Sequence, residues 1–200
     1  MNWIELHTNT RYSDVLSFIE PNQMVSACAR HGCQAVAITD RNTVQAYLSA
    51  EQEAAKRGIT LIDGLTIDCM DRDDRYAVTL LARNMKGRDQ IFDLVKLLKE
   101  NEASFGRCVT RQQIEEHRDG LLMGASAMDG QLVRAIQLRR SNTVIKKAAL
   151  RYDYIELPLE PYDVSAQLCR VAMDCRIPVC AVQNATLEEY CDSAQHHAYC

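Results

Sequence analysis

The chain has 200 residues, 47% of them hydrophobic and 25% charged, which is enough apolar material for one domain with a substantial core. A formal net charge of -4 argues against a broad basic face gripping nucleic acid, because phosphate contacts need Lys and Arg. No apolar run approaches the ~18 residues that span a bilayer, and the N-terminus lacks the basic, apolar and small-residue order of a signal peptide; a cytoplasmic protein without a membrane role is expected.

In chain order, Trp3, Ile4 and Leu6 suit a strand, and Thr8, Asn9 and Thr10 suit its exit. Pro21 opens a helix whose Met24, Val25, Cys28 and Ala29 share a face, and Gly32 ends it. Ala35 to Ile38 reads as a short buried strand that delivers Thr39, Asp40 and Arg41. A helix from Thr43 to Arg57 stops at Gly58, and Thr60 to Ile62 is the next strand.

Cys69 to Arg75 is acidic and reads as a surface connection. Ala77 to Ala82 is a strand, Ile91 to Leu98 marks a helix, and Asn101 to Val109 reads as a loop. Thr110 and Gln113 have capping-box spacing. Leu121 to Ala125 is strand-like and ends at Ser126. Helical segments follow at Leu132 to Leu138 and Val144 to Leu150, then a strand at Tyr154 to Leu157, a helix at Val164 to Cys175 and a strand at Val179 to Val182. Leu187 to Tyr199 is the last helix candidate.

About seven strands thus alternate with helices, and the connections read as long enough for right-handed crossovers, so a parallel barrel is the expected closure. In such a protein the carboxyl ends of the strands gather the chemistry. In order these ends offer His7 and Asn9, Asp40 and Arg41, Thr66, Ser126, Glu156, and finally Asn184 and Thr186. One imidazole and few carboxylates fall short of a polynuclear metal site, which needs several His and carboxylate ligands.

Other features have plainer readings. The nine cysteines contain no C-x-x-C pair and read as small buried hydrophobes, neither a disulfide framework nor a zinc knuckle. Arg134, Arg139, Arg140, Lys146 and Lys147 form the densest basic run, which reads as a solvated helix face. His31 and His117 sit near helix ends. His196 and His197 are adjacent and so face apart on a helix. Ser126 has no His or carboxylate pattern that would make it a triad nucleophile.

E-L-H-T-N-T at Glu5 to Thr10, A-V-A-I-T-D-R-N at Ala35 to Asn42, G-I-T-L-I-D-G-L at Gly58 to Leu65 and Y-A-V-T-L-L-A-R-N at Tyr76 to Asn84 resemble the polymerase and histidinol phosphatase (PHP) domain. R-D-G-L-L-M-G-A-S-A at Arg118 to Ala127, Y-D-Y-I-E-L at Tyr152 to Leu157 and I-P-V-C-A-V-Q-N at Ile177 to Asn184 continue the likeness. The form it resembles is that of the PolC-type bacterial DNA polymerase III alpha subunit.

The resemblance implies an α/β fold, a distorted seven-stranded β/α (TIM-like) barrel, and one PHP-like domain over residues 1–200. It implies that the proofreading exonuclease usually inserted in PolC-type PHP domains is absent near residues 67–75. Active members hold up to three metal ions and hydrolyse phosphoesters. Here the family's first His-x-His is His7 and Asn9, its Asp-His is Asp40 and Arg41, and its glutamate after Gly64 and Leu65 is Thr66. Its His after Tyr76 is Ala77, and its terminal Asp-x-His is Asn184, Ala185 and Thr186.

His7 and Asp40 remain, with Asp14 as a further ligand candidate. Neutral replacements remove the charge that holds divalent cations, and Arg41 is expected to take a vacated cation site and pair with Asp40. The resulting expectation is a catalytically inactive module with no cofactor, working with other domains or subunits of a replicative DNA polymerase and meeting DNA only indirectly. The alternatives are a phosphoesterase or 3'-5' exonuclease with a reduced Zn, Mn or Mg site, and an anion-binding domain centred on Arg41.

Overall fold

The computed structural model describes residues 3–14, 17–159 and 161–182. They fall into two compact units, one ending at Leu65 and the other beginning at Thr66.

The first unit is a parallel layer. β1 (Trp3–Thr8) pairs with β2 (Cys33–Ile38), which pairs with the first half of β3 (Thr60–Asp71), all parallel. Parallel neighbours need a crossover, and α1 (Pro21–Arg30) and α2 (Tyr47–Arg57) supply the two. α1 starts with Pro21 behind a Glu20–Gln23 capping box and buries Met24, Val25 and Cys28. α2 ends at Gly58, whose φ of 68° is the left-handed conformation that a side chain resists. Between the two helices Ser26 Oγ donates to Glu53 at 2.8 Å. Arg57 and Ser26 together hold the Glu53 carboxyl down to about 2. Tyr47 ties α2 to the sheet by donating its hydroxyl to the Gly64 carbonyl at 2.6 Å.

The second unit starts with a hairpin. β3 continues to Asp71, turns at Arg72 and Asp73, and returns as β4 (Asp74–Ala82). Arg75 pairs with the buried Asp68 at 2.8 Å, which fastens the hairpin. β4 then runs antiparallel to β6 (Leu121–Ala125), and β6, β7 (Tyr154–Pro158) and β8 (Val179–Val182) are parallel. The short β5 (Val109–Thr110) pairs with the end of β3. α3 (Met85–Phe105), α4 (Arg111–Glu116), α5 (Gln131–Gln137), α6 (Asn142–Ala149) and α7 (Tyr162–Cys175) make the connections. The core includes Ile67, Cys69, Leu80, Ile91, Leu94, Met123 and Ile155, all sealed from solvent.

Four expectations need correcting. A wholly parallel sheet is wrong, because the two-residue turn at Arg72 and Asp73 is far too short for a crossover, so β4 must reverse. Cys69 to Asp71 belongs to β3, not to a surface connection: Leu65, Ile67 and Cys69 alternate into the core, and Asp68 is paid back by Arg75. α3 extends to Phe105 through what reads as a loop, and its N-cap Asn84 side chain accepts from Gly87 N–H at 3.0 Å. α2 starts at Tyr47, after turns at residues 43–46, and not at Thr43.

The plainer readings hold in part. Cys28, Cys33, Cys69 and Cys108 are buried free thiols, whereas Cys169, Cys175 and Cys180 are free but only half-buried, so the expectation of buried cysteines fails on α7 and β8. Burial pushes Cys28 up to about 12, far from a reactive thiolate. His31 and His117 occupy the C-cap positions of α1 and α4, and Thr110 and Gln113 form the capping box of α4. His196, His197 and the Leu187 to Tyr199 helix candidate lie outside the described residues.

Candidate functional site

The carboxyl ends of β1 and β2 carry the candidate residues of the first unit. Parallel neighbours finish side by side, and a run of threonines clamps these two ends together. Thr39 donates to the Thr8 carbonyl from both its N–H (3.0 Å) and its Oγ1 (2.9 Å), Thr8 N–H donates to Thr39 Oγ1 at 3.1 Å, and Thr8 Oγ1 donates to the Ala37 carbonyl at 2.6 Å. Neither exit is therefore free to splay. His7, Thr8, Asn9 and Thr10 on one side and Thr39, Asp40 and Asn42 on the other are all buried.

Asp40 is fully buried. Its partner is Thr10, which donates its N–H to Oδ1 at 2.5 Å and its hydroxyl to Oδ2 at 2.6 Å. Burial disfavours the charged form more than these two donors favour it, so the carboxyl is pushed up to about 6. The expected Arg41–Asp40 ion pair is absent: both carboxylate oxygens are engaged by Thr10, and Arg41 is only half-buried. Thr10 sits in the turn that follows β1 and reaches Asp40 without the cost of burying a guanidinium.

Ser13 joins the remaining members. Its hydroxyl donates to Asn9 Oδ1 at 2.7 Å and accepts from Arg41 N–H at 2.8 Å. Asp14 N–H donates to the Arg41 carbonyl at 3.3 Å, and the exposed Asp14 carboxylate accepts from Asn42 Nδ2 at 3.0 Å. Asn42 has a φ of 60°, a left-handed conformation that Asn tolerates better than most residues. Asn9, Asp14, Asp40 and Arg41 thus belong to one polar layer, with Thr10, Ser13 and Asn42 as members that sequence reasoning missed. A buried carboxylate at a strand exit must find donors, and the T-x-x-S run of Thr10 to Ser13 was the available signal.

In the second unit Thr66 is buried on β3, and its hydroxyl has no hydrogen-bond partner among the described residues. Ala77 is buried on β4, where it offers a methyl group and bridges to Gly130. Glu156 is buried on β7 and accepts from Ala127 N–H at 3.0 Å. Ser126 Oγ donates to the Met128 carbonyl at 3.0 Å and accepts from Met128 N–H at 3.2 Å, a local turn in place of a nucleophile's contacts. Asn184 and Thr186 lie outside the described residues.

A family model for the PHP domain matches residues 5–157. The chain belongs to the PHP domain family. Among curated proteins, the PolC-type DNA polymerase III of Bacillus subtilis is 30% identical over 126 residues, covering 60% of this chain and 9% of the relative. That of Thermotoga maritima is 31% identical over 135 residues, 64% of this chain and 9% of the relative. The DNA polymerase III alpha subunit of Haemophilus influenzae is 24% identical over 197 residues, 91% of this chain and 17% of the relative. This PHP domain therefore spans less than a fifth of the length of those polymerases.

Two solved structures share the fold. A candidate metal-dependent phosphoesterase of Bifidobacterium adolescentis has a TM-score of 0.65 at 14% identity, covering 92% of this chain and 88% of its own. An amidohydrolase of Chromobacterium violaceum, solved with sulfate and no metal, has a TM-score of 0.61 at 15% identity, covering 92% and 87%. The fold is thus α/β, of the barrel class to which PHP domains belong.

The metal chemistry that the family implies can be tested against the side chains present. Among the described residues no group of three or more His, Cys, Asp or Glu side chains is placed to hold an ion. Asp40 is buried with two donors on it, Ala77 has no ligand atom, and Asn9 and Thr66 are neutral. Hard divalent ions are held by several anionic oxygens and imidazoles. These residues do not fit a polynuclear centre. Among the described residues, no helix is long and apolar enough to cross a membrane.

Proposed function

We propose that this PHP domain is a non-hydrolytic scaffold and interaction module of a PolC-like replicative DNA polymerase or a relative of one, acting in the cytoplasm as a single domain without an exonuclease insert. The observation that carries the reading is the engagement of both Asp40 oxygens by Thr10, where an active relative would present a ligand. A hydrogen-bonded pair keeps the strand exits folded without a cation. The two-residue turn at Arg72 and Asp73 supports the missing insert. The kinship with polymerase III supports the setting, in which neighbouring polymerase domains or subunits are the partners and DNA is met indirectly.

A second reading is a phosphoesterase with a reduced site. It is favoured by the burial of both His7 and Asp40 at neighbouring strand ends. Metal analysis of gently purified protein, with phosphomonoesterase and single-strand exonuclease assays in added manganese or zinc, decides between them. The scaffold reading expects far less than one ion per chain and no turnover. Stoichiometric metal with turnover lost in His7→Ala or Asp40→Asn would overturn it.

A further inference from the structure

Of the basic run that spans α5, the residues after it and α6, Arg134, Arg140 and Lys147 line one continuous hollow. A furrow of about 500 Å³ lies between the α5–α6 segment and the hairpin turn, and Asp71, Arg72, Gln131 and Val144 carry it on into a second hollow of about 350 Å³. Its lining includes Leu138 and Val144, which are 61% and 51% exposed. Two of its cations are already used: Arg134 pairs with Asp74 at 3.1 Å and Arg151 with Asp71 at 3.3 Å.

The others are not. Among the described residues Arg72, Arg140 and Lys147 have no carboxylate partner, and Asp73 is the lining carboxylate without a cation. An apolar strip with surplus positive charge therefore stands on a chain whose net charge is -4. Single-stranded nucleic acid would need aromatic platforms for its bases, and no lining residue is aromatic.

We infer that this furrow is a docking site for an acidic amphipathic peptide segment of a partner protein, one that lays aliphatic or aromatic side chains on Leu138 and Val144 and presents carboxylates to Arg72, Arg140 and Lys147. The inference deepens the scaffold reading and rests on it for the polymerase setting. Peptide recognition of this kind places apolar anchors in a groove and uses rim charge for orientation and selectivity.

A randomised peptide-display selection against the full chain tests it, followed by anisotropy titrations of the enriched peptides. The expected peptides combine carboxylates with large apolar residues. Their affinity falls at least tenfold in Arg140→Glu/Lys147→Glu and in Leu138→Ser, and is unchanged in Lys99→Glu on the exposed face of α3. Among the described residues Arg140 and Lys147 hold no ion pair, so their reversal is expected to leave the fold intact, which a thermal melt verifies. Failure to enrich any peptide, enrichment of neutral or basic ones, or stronger competition from an oligo-dT strand than from the peptide would overturn the inference. Metal content and turnover are untouched by these variants, so a failure here is distinct from a failure of the scaffold reading.

Discussion

Thr10 binds both oxygens of Asp40, its amide on one and its hydroxyl on the other. The hydroxyl is the removable half. In Thr10→Val the amide bond stays, and one buried carboxylate oxygen loses its donor, at a cost of about 1–3 kcal/mol. The loss should be largest near pH 8, where Asp40 is ionised, and smaller near pH 4.5, where it is protonated. Urea unfolding at both values measures the difference. An equal loss at both would assign Thr10 a steric role.

The proton affinity of Asp40 itself makes a second prediction. Burial raises its pKa from 3.8 to about 6, so the folded state prefers the protonated acid. The associated stability is fully present below about pH 3.8 and is lost as pH rises through 6. That interval corresponds to at most about 3 kcal/mol. In chelator-treated protein, Asp40→Asn should remove the decline between pH 4 and 7 and leave the variant gaining on the wild type as pH increases. Parallel stability curves would show that burial does not control this carboxyl.

Much of the architecture is legible in the sequence because the local signals agree with the fold. Apolar runs ending in polar exits mark β1, β2, β6 and β8, and Pro21, Gly58 and the Thr110–Gln113 box mark helix ends. The direction of β4 is less legible, because the acidic residues of the hairpin resemble a loop until Asp68 is seen paired with Arg75. At the site, the strand exits reveal which residues gather, but not which of them bond. Arg41 has the charge to neutralise Asp40, yet Thr10 has the position, and position depends on how the turn after β1 folds back.

Two buried threonines allow a paired test. Thr79 and Thr66 both bury a hydroxyl with no described partner, and valine has nearly the same shape without the polar atom. Thr79→Val should stabilise by about 1 kcal/mol, raising the melting temperature by about 2–4 °C. Thr66→Val should do the same if its hydroxyl only fills space. A gain at Thr79 with a loss at Thr66 would mark Thr66 as facing a bound water or ligand.

Gly124 faces Tyr154 across β6 and β7. A Cβ added there would lie 2.3 Å from the Tyr154 ring, so Gly124→Ala must displace a buried aromatic. The expected loss is about 1–3 kcal/mol, as for other overpacked cores. Tyr154→Ala is itself destabilising, but the double variant should lose less than the sum of the two single losses. Additive losses would mean that the backbone moves instead of the ring.

Helix ends provide the last prediction, through a natural contrast between α2 and α7. α2 closes on Gly58 at φ 68°, whereas α7 closes on Arg176 at φ 57°. A side chain in the left-handed region costs roughly 1–2 kcal/mol, and glycine gives back about 0.4–1 kcal/mol through the freer unfolded chain. Arg176→Gly should therefore gain about 0.5–1 kcal/mol, since no ion pair of Arg176 is lost among the described residues. Gly58→Ala should lose a similar amount, and a Cβ at Gly58 meets nothing within 4 Å, which leaves backbone strain as the cause. Thermal melts of the two variants should move in opposite directions. Movement in the same direction would show that the left-handed cap is not what sets stability at these ends.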